Sequence, residues 1–325
     1  MSGQALGLAD ANFFTDFVRN LVSQGVARTS VPLFFLLAGY FLYFNTYCSK
    51  QSYVDRLISR SRTLLLPFLF WGIFTFGLYF LAQILPLTRS YFSGARVSVL
   101  DYSPYDFFAG LLGIGRPPLA YHLWFLRDLL LLVIVSPLIC FFVRYSPFFY
   151  IGAVLIVWYS GVNWFSIPSS EALLFFSFGV FLSFRRLTPF IFDRGGVVLF
   201  AGYLVFLVVD AASPDFQFKD HFHRFTVLIG VFVVLWCSRF FVKYAEVKKI
   251  LLWSAPGSYF VYLAHEPLLM TIRKIAYRLF RPSAELEVLA LYLFVPFFVV
   301  GLLLFVWFCL RRILPSSLSN IVGVR

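Results

Sequence analysis

Charge is what this sequence lacks most. Only 13% of its 325 residues are Asp, Glu, Lys or Arg, while 61% are hydrophobic and the mean hydropathy is +0.85. Soluble domains carry about 25% charged residues, so an ordinary globular enzyme in water is excluded. Cysteine is scarce too. Cys48, Cys140, Cys237 and Cys309 are spaced for neither a metal site nor a disulfide framework. There is no Gly-rich phosphate loop, no internal repeat and no low-complexity tract. Histidine occurs four times. His221 and His223 in "KDHFHR" have a metal-like spacing but too few neighbouring ligands. They read as a solvated outer loop, and no metal is expected. The first 28 residues hold Asp10, Asp16 and Arg19 and no apolar run, so they do not form a secretory signal peptide.

What is present is one apolar stretch after another along the whole length. This predicts an all-α fold, a polytopic transmembrane helix bundle of about nine spans. The spans fall near 29–47, 63–86, 120–143, 147–160, 170–184, 196–212, 223–241, 254–272 and 288–312. A bilayer core needs about 20 helical residues, so the fourth and fifth are short. Lysine and arginine counts favour a cytoplasmic segment after the first span, with 15 inside, 11 outside and Arg127 within a span. The expected organisation is an extracytoplasmic segment at 1–28, a membrane domain at 29–312 and a cytoplasmic tail at 313–325. In this orientation all four cysteines lie at cytoplasmic ends, where thiols stay reduced. The net charge of +12 then reflects basic residues facing anionic lipid, and nucleic acid is not an expected partner.

Three polar groupings interrupt the apolar runs. "YHLWFLRD", residues 121–128, opens the third span. A charge deep in a span costs about 2.5–3.5 kcal/mol, so Arg127 and Asp128 face protein or a wet cavity. Trp124 lies one turn from Asp128, and His122 sits near the outer surface. "YFVYLAHEPLL", residues 259–269, places His265 and Glu266 before Pro267. Proline cannot donate to the Leu263 carbonyl, and a freed carbonyl in a membrane needs a polar neighbour or water. Arg28 begins "RTSVPLFFLLAGYFL", where Ser30 is placed to cap the first span and Pro32 is tolerated in its first turn. Each grouping also has a purely structural reading: a belt histidine and ion pair, a kinked helix, and an arginine reaching to headgroups.

Together, "RTSVPLFFLLAGYFL", "YHLWFL" and "YLAHEPLL" resemble the integral-membrane acyltransferase family 3. The segments occur in that family's order, and the similarity extends loosely over the chain. The resemblance implies a bundle of about ten helices, an acyl-CoA donor on the cytoplasmic side and a hydroxyl acceptor reached from the membrane or beyond. It includes bacterial enzymes that O-acetylate surface polysaccharides and lipopolysaccharide. Family members usually begin with a helix carrying an Arg and an essential His, whereas here no histidine precedes Arg28. The expectation is a member lacking that helix, by truncation, a misplaced start or loss.

The implied function is a multi-pass acyltransferase of a bacterial inner membrane. It would move an acyl group, acetyl first among the choices, from acetyl-CoA to a hydroxyl of a carbohydrate or glycolipid. O-acylation needs a base near the hydroxyl and donors for the developing oxyanion. A histidine, with its ordinary pKa of about 6.5, suits the base. The assigned roles are His265 as base, His122 as substrate-orienting or oxyanion-stabilising group, and Glu266 as the orienting carboxylate of His265 or a hydrogen-bond partner of the sugar. Arg28, Trp124, Arg127 and Asp128 would bind acceptor or pack helices. Arg56, Arg60 and Arg62 would meet CoA phosphate, although topology alone also accounts for them. Two alternatives stand beside this reading: a transporter of lipid-linked glycans and a non-catalytic family member.

Overall fold

The computed structural model describes residues 13–44, 50–86, 88, 98–161, 167–213, 216–313 and 322. The predicted tail, apart from Ile313 and Val322, lies outside them, as do residues 1–12 and Cys48. Among the described residues the regular structure is helical, and every predicted span falls on a helix. In chain order these are α1 (Phe14–Tyr43), α2 (Gln51–Ile84), α3 (Pro104–Leu112), α4 (Tyr121–Tyr145) and α5 (Pro147–Ser160). They continue with α6 (Ser170–Phe184), α7 (Gly196–Ala212), α8 (Lys219–Phe241), α9 (Ala245–Phe280) and α10 (Glu285–Ile313). Among the described residues six are long and apolar enough to cross a membrane: α1, α2, α4, α7, α8 and α10. The apolar helices α5 and α6 are shorter. Large apolar side chains face outward, with Phe149 82%, Val198 77% and Phe297 75% exposed. Water would oppose such a surface and hydrocarbon does not, so the chain is a polytopic membrane helix bundle.

Several helix ends differ from the sequence reading. α1 does not start at residue 29. It is already helical from Phe13, runs through a π segment at Asn20–Val26 and a 3-10 turn at Ala27–Thr29, and continues as Ser30–Tyr43. Arg28 is therefore inside a continuous helix, and Ser30 is not an N-cap: its hydroxyl donates to the Ala27 carbonyl at 2.7 Å. Pro32 removes the amide that would bond the Arg28 carbonyl, and the tight 3-10 turn accommodates it. α8 starts at Lys219, so "KDHFHR" is helix, not loop. Its run of charge hid the helical register. Cys140 is disulfide-bonded, against the expectation of four reduced thiols. Cys237 and Cys309 are free. The cysteines therefore no longer support the assigned orientation, which rests on the basic residues alone.

The chain divides into two compact units. The first comprises Met1–Val54, Ile134–Ile250 and Ser283–Leu289, and the second Asp55–Val133, Leu251–Pro282 and Ala290–Arg325. In the first unit α1 and α6 approach closely enough for backbones to touch. A Cβ at Gly39 would collide with the Phe176 carbonyl, and one at Gly179 with the Leu36 carbonyl. Lipid tails are as apolar as leucine, so helices in membranes associate through such close packing and through hydrogen bonds. Tyr43 donates to the Ser136 carbonyl at 2.9 Å, and Tyr150 pairs with Ser177 at 3.0 Å. Thr15 binds the Glu285 carboxylate through both its amide, at 2.9 Å, and its hydroxyl, at 2.8 Å.

In the second unit an apolar core joins α2, α4, α9 and α10 through Phe68, Trp71, Leu126, Phe260, Leu263 and Trp307. Outside the spans, Ser103 caps α3 reciprocally with Asp106. Hydrogen bonds from Ser103 hold the Asp106 carboxyl below its ordinary range. α3 ends on Gly113 at φ 71°, a left-handed turn that favours glycine. The Gly179→Val variant should lose its folded, monodisperse form in detergent, read by size-exclusion chromatography and thermal unfolding. Gly202→Val on α7, where a Cβ meets nothing within 4 Å, should be tolerated.

Candidate active site

The break in α9 builds the site in the second unit. Glu266 has φ −106° and ψ 134°, an extended residue inside a helix, and Pro267 follows it. Pro267 has no N–H for the Leu263 carbonyl. That carbonyl is buried and pairs instead with His122 Nε2 at 3.0 Å. One residue earlier, the Tyr262 carbonyl pairs with His265 Nδ1 at 2.7 Å. The two imidazole rings lie 5.0 Å apart at an angle of 62°. Tyr262 closes the group by donating its hydroxyl to the His122 carbonyl at 2.7 Å.

These bonds fix the proton positions. A carbonyl oxygen only accepts, so the nitrogen facing it must carry the hydrogen. His122 is thus protonated on Nε2, leaving the Nδ1 lone pair buried with no partner among the described residues. His265 is protonated on Nδ1, leaving Nε2 as its basic nitrogen. The Tyr262 carbonyl holds His265 Nδ1; the sequence reading had left Glu266 open as its orienting carboxylate or as a partner of the sugar. In this arrangement His122 presents no spare N–H, as oxyanion stabilisation would require.

Arg127 and Asp128, adjacent at the start of α4, pair with each other. Arg127 bonds Asp128 Oδ1 through Nε at 3.1 Å and Nη2 at 3.0 Å, and the Gly113 carbonyl through Nη1 at 3.0 Å. Asp128 is fully buried. These bonds tie α4 to the end of α3. Trp124 is half-buried on the same helix.

Arg56 and Arg60 are one turn apart on α2, both half-buried, and Arg62 is exposed in the π segment Ser61–Leu65. Tyr259 donates to the Thr63 carbonyl at 3.1 Å and lies in the field of Arg60. Along α9, Tyr259 stacks on Tyr262 with ring centres 6.1 Å apart, and Tyr262 lies 6.1 Å from His265. An aromatic row thus runs from the basic segment to the histidines, about 9 Å of helix rise.

Arg28 belongs to the first unit. It donates to Glu171 Oε2 at 2.8 Å beside a cavity of about 310 Å³. His223, Arg224 and Asp220 also line this cavity, and His223 Nδ1 is 2.7 Å from Asp210 Oδ2. Sequence reasoning missed Glu171 and Asp210 and set His223 aside. The available signal was a single acid inside "SSEALLFFSFGVF" and another inside "LVFLVVDAA", each in an otherwise apolar run.

With this geometry in place, comparison with known proteins decides the family. The profile of the family Acyl_transf_3, described as an acyltransferase domain, matches residues 5–311. The chain belongs to the acyltransferase 3 family. A curated relative is the succinoglycan biosynthesis protein ExoH of Rhizobium meliloti (strain 1021), 26% identical over 322 residues. The alignment covers 95% of this chain and 83% of that protein. No solved structure matches. Membership in the acyltransferase 3 family implies acyltransferase activity and an acyl donor.

The His122 bond carries a structural prediction. His122→Ala orphans the buried Leu263 carbonyl and should cost about 1–3 kcal/mol of stability. His122→Gln can still donate to it and should recover part of the loss, read by thermal unfolding in nanodiscs.

Proposed function

We propose that this protein is a membrane O-acyltransferase of a bacterial cytoplasmic membrane. It takes an acyl group, acetyl first among the choices, from acyl-CoA and places it on a hydroxyl of a cell-surface polysaccharide or its glycolipid precursor. The observation that carries the reading is the fixed tautomer of His265. With Nδ1–H held by the Tyr262 carbonyl, Nε2 is the base. Family membership supports acyl transfer, and the relative's printed role in succinoglycan biosynthesis supports a carbohydrate acceptor.

The chemistry follows in balanced steps. His265 Nε2 takes the proton of the acceptor hydroxyl as its oxygen attacks the thioester carbonyl. The C–O bond forms, the C–S bond breaks, and the imidazolium returns the proton to the CoA thiolate. His122 orients: it holds the broken turn of α9 that presents His265. Glu266, at the break, is placed to bond an acceptor hydroxyl. Trp124, Arg127 and Asp128 shape the start of α4 beside His122. Arg56, Arg60 and Arg62 bind CoA phosphates, Arg60 marking the start of the aromatic row that leads to His265. Basic-residue counts favour that segment, and the C-terminal tail, lying on the cytoplasmic side where acyl-CoA is found.

Membranes containing the protein should transfer label from [14C]acetyl-CoA to the host's polysaccharide. His265→Ala should lower the rate by about 10²–10⁴-fold. His265→Ala transferring at the wild-type rate would remove this base. The broken α9 also suits a glycan transporter, which predicts export without any label on the glycan. Arg56→Ala/Arg60→Ala should raise KM for acetyl-CoA by about tenfold or more with kcat little changed, because charge-assisted phosphate contacts bind the donor without touching the reacting atoms.

A further inference from the structure

The cavity of the first unit is not used by the chemistry above. Ionisable groups from α1, α6 and α8 surround it, and α7 contributes Asp210 behind His223. Ionisable groups in a membrane bundle pair with one another or mark a binding site, so a cluster left partly unpaired points to function rather than packing. Helix glue alone would satisfy every member of the cluster. This one is left incomplete. Arg28 satisfies Glu171 Oε2, while Oε1 of the same carboxylate is buried and has no hydrogen-bond partner among the described residues. His223 gives its Nδ1 to Asp210, so Nε2 is its second hydrogen-bonding atom. Arg224 donates to the Trp158 carbonyl through Nη1, and its other N–H groups remain as donors.

The charges decide the class of ligand. Two guanidiniums, Arg28 and Arg224, face two carboxylates, Glu171 and Asp220. An anion would meet both carboxylates and a cation both arginines, whereas a neutral ligand rich in hydroxyls disturbs neither. Hydroxyls both donate and accept, which matches a wall that offers acceptors at Glu171 and His223 and donors at Arg28, Arg224 and Ser170. At about 310 Å³ the cavity is at the small end of ligand pockets, the size for one ring rather than an oligosaccharide.

We propose that this cavity binds one neutral sugar ring of a carbohydrate chain, with Glu171 Oε1 accepting from a ring hydroxyl. The identification of that chain as the acyl acceptor rests on the proposed transferase function; the binding itself does not. The test is equilibrium binding to the full chain in nanodiscs, without acyl donor. The probe is oligosaccharides from partial hydrolysis of the exopolysaccharide of the gene-deleted host. Wild type should bind them, and Glu171→Gln, Arg28→Lys and His223→Gln should each weaken binding about tenfold or more while keeping the wild-type unfolding temperature within a few degrees. Equal binding by wild type and all three cavity variants, or no binding by wild type, overturns the proposal. A variant that unfolds is replaced by Ser170→Ala, which removes one lining hydroxyl without touching a charge and should weaken binding several-fold; unchanged binding there also counts against the proposal. Binding lost with transfer intact in wild type refutes only this site. Binding retained without any acetyl transfer refutes only the transferase reading.

Discussion

The bond between His122 and the Leu263 carbonyl, 3.0 Å long, closes the gap that Pro267 opens in α9. In hydrocarbon a backbone carbonyl without a partner costs several kcal/mol, and no water stands by to replace it. The helix can be broken at Glu266 because another helix supplies the missing donor. Everything else in the second unit's site follows from that arrangement. The break turns the Tyr262 carbonyl toward His265, the two carbonyls fix both tautomers, and the start of α4 is held against α9 through a side chain and, by way of Tyr262, its own backbone.

Part of this was legible in residue order. Pro267 four residues after Leu263 identifies the orphaned carbonyl by arithmetic alone, and the apolar runs locate the helices. The donor was not legible, because His122 lies 141 residues away and no local rule links the two. Helix ends failed where a local signal misled. Ser30 and Pro32 look like a helix start, yet π and 3-10 turns carry the helix through them. "KDHFHR" looks like a loop because its charges suggest water, yet Lys219 bonds the Asp210 carbonyl at 3.1 Å, His223 bonds the Asp210 side chain, and the segment stays helical.

The two units solve the problem of charge in an apolar setting differently. In the second, Arg127 and Asp128 neutralise each other and use a glycine carbonyl for a remaining donor, so their polarity is consumed internally. In the first, Arg28, Glu171, Asp210 and His223 come from α1, α6, α7 and α8, and they leave acceptor capacity over. Glu171 and Asp210 are single acids in long apolar runs. Glu171 is in the first turn of α6, where the helix dipole favours an acid, and Asp210 is in the last turn of α7, where it does not.

The contact between α1 and α6 carries a consequence for how the chain threads the bilayer. Arg28 meets Glu171, Leu36 meets Gly179 and Tyr43 meets Phe184, so partners advance together and the two helices run parallel. Two parallel segments of one chain must be separated by an odd number of legs, and among the described residues α2, α4 and the 14-residue α5 are the three apolar helices of that length or more between them.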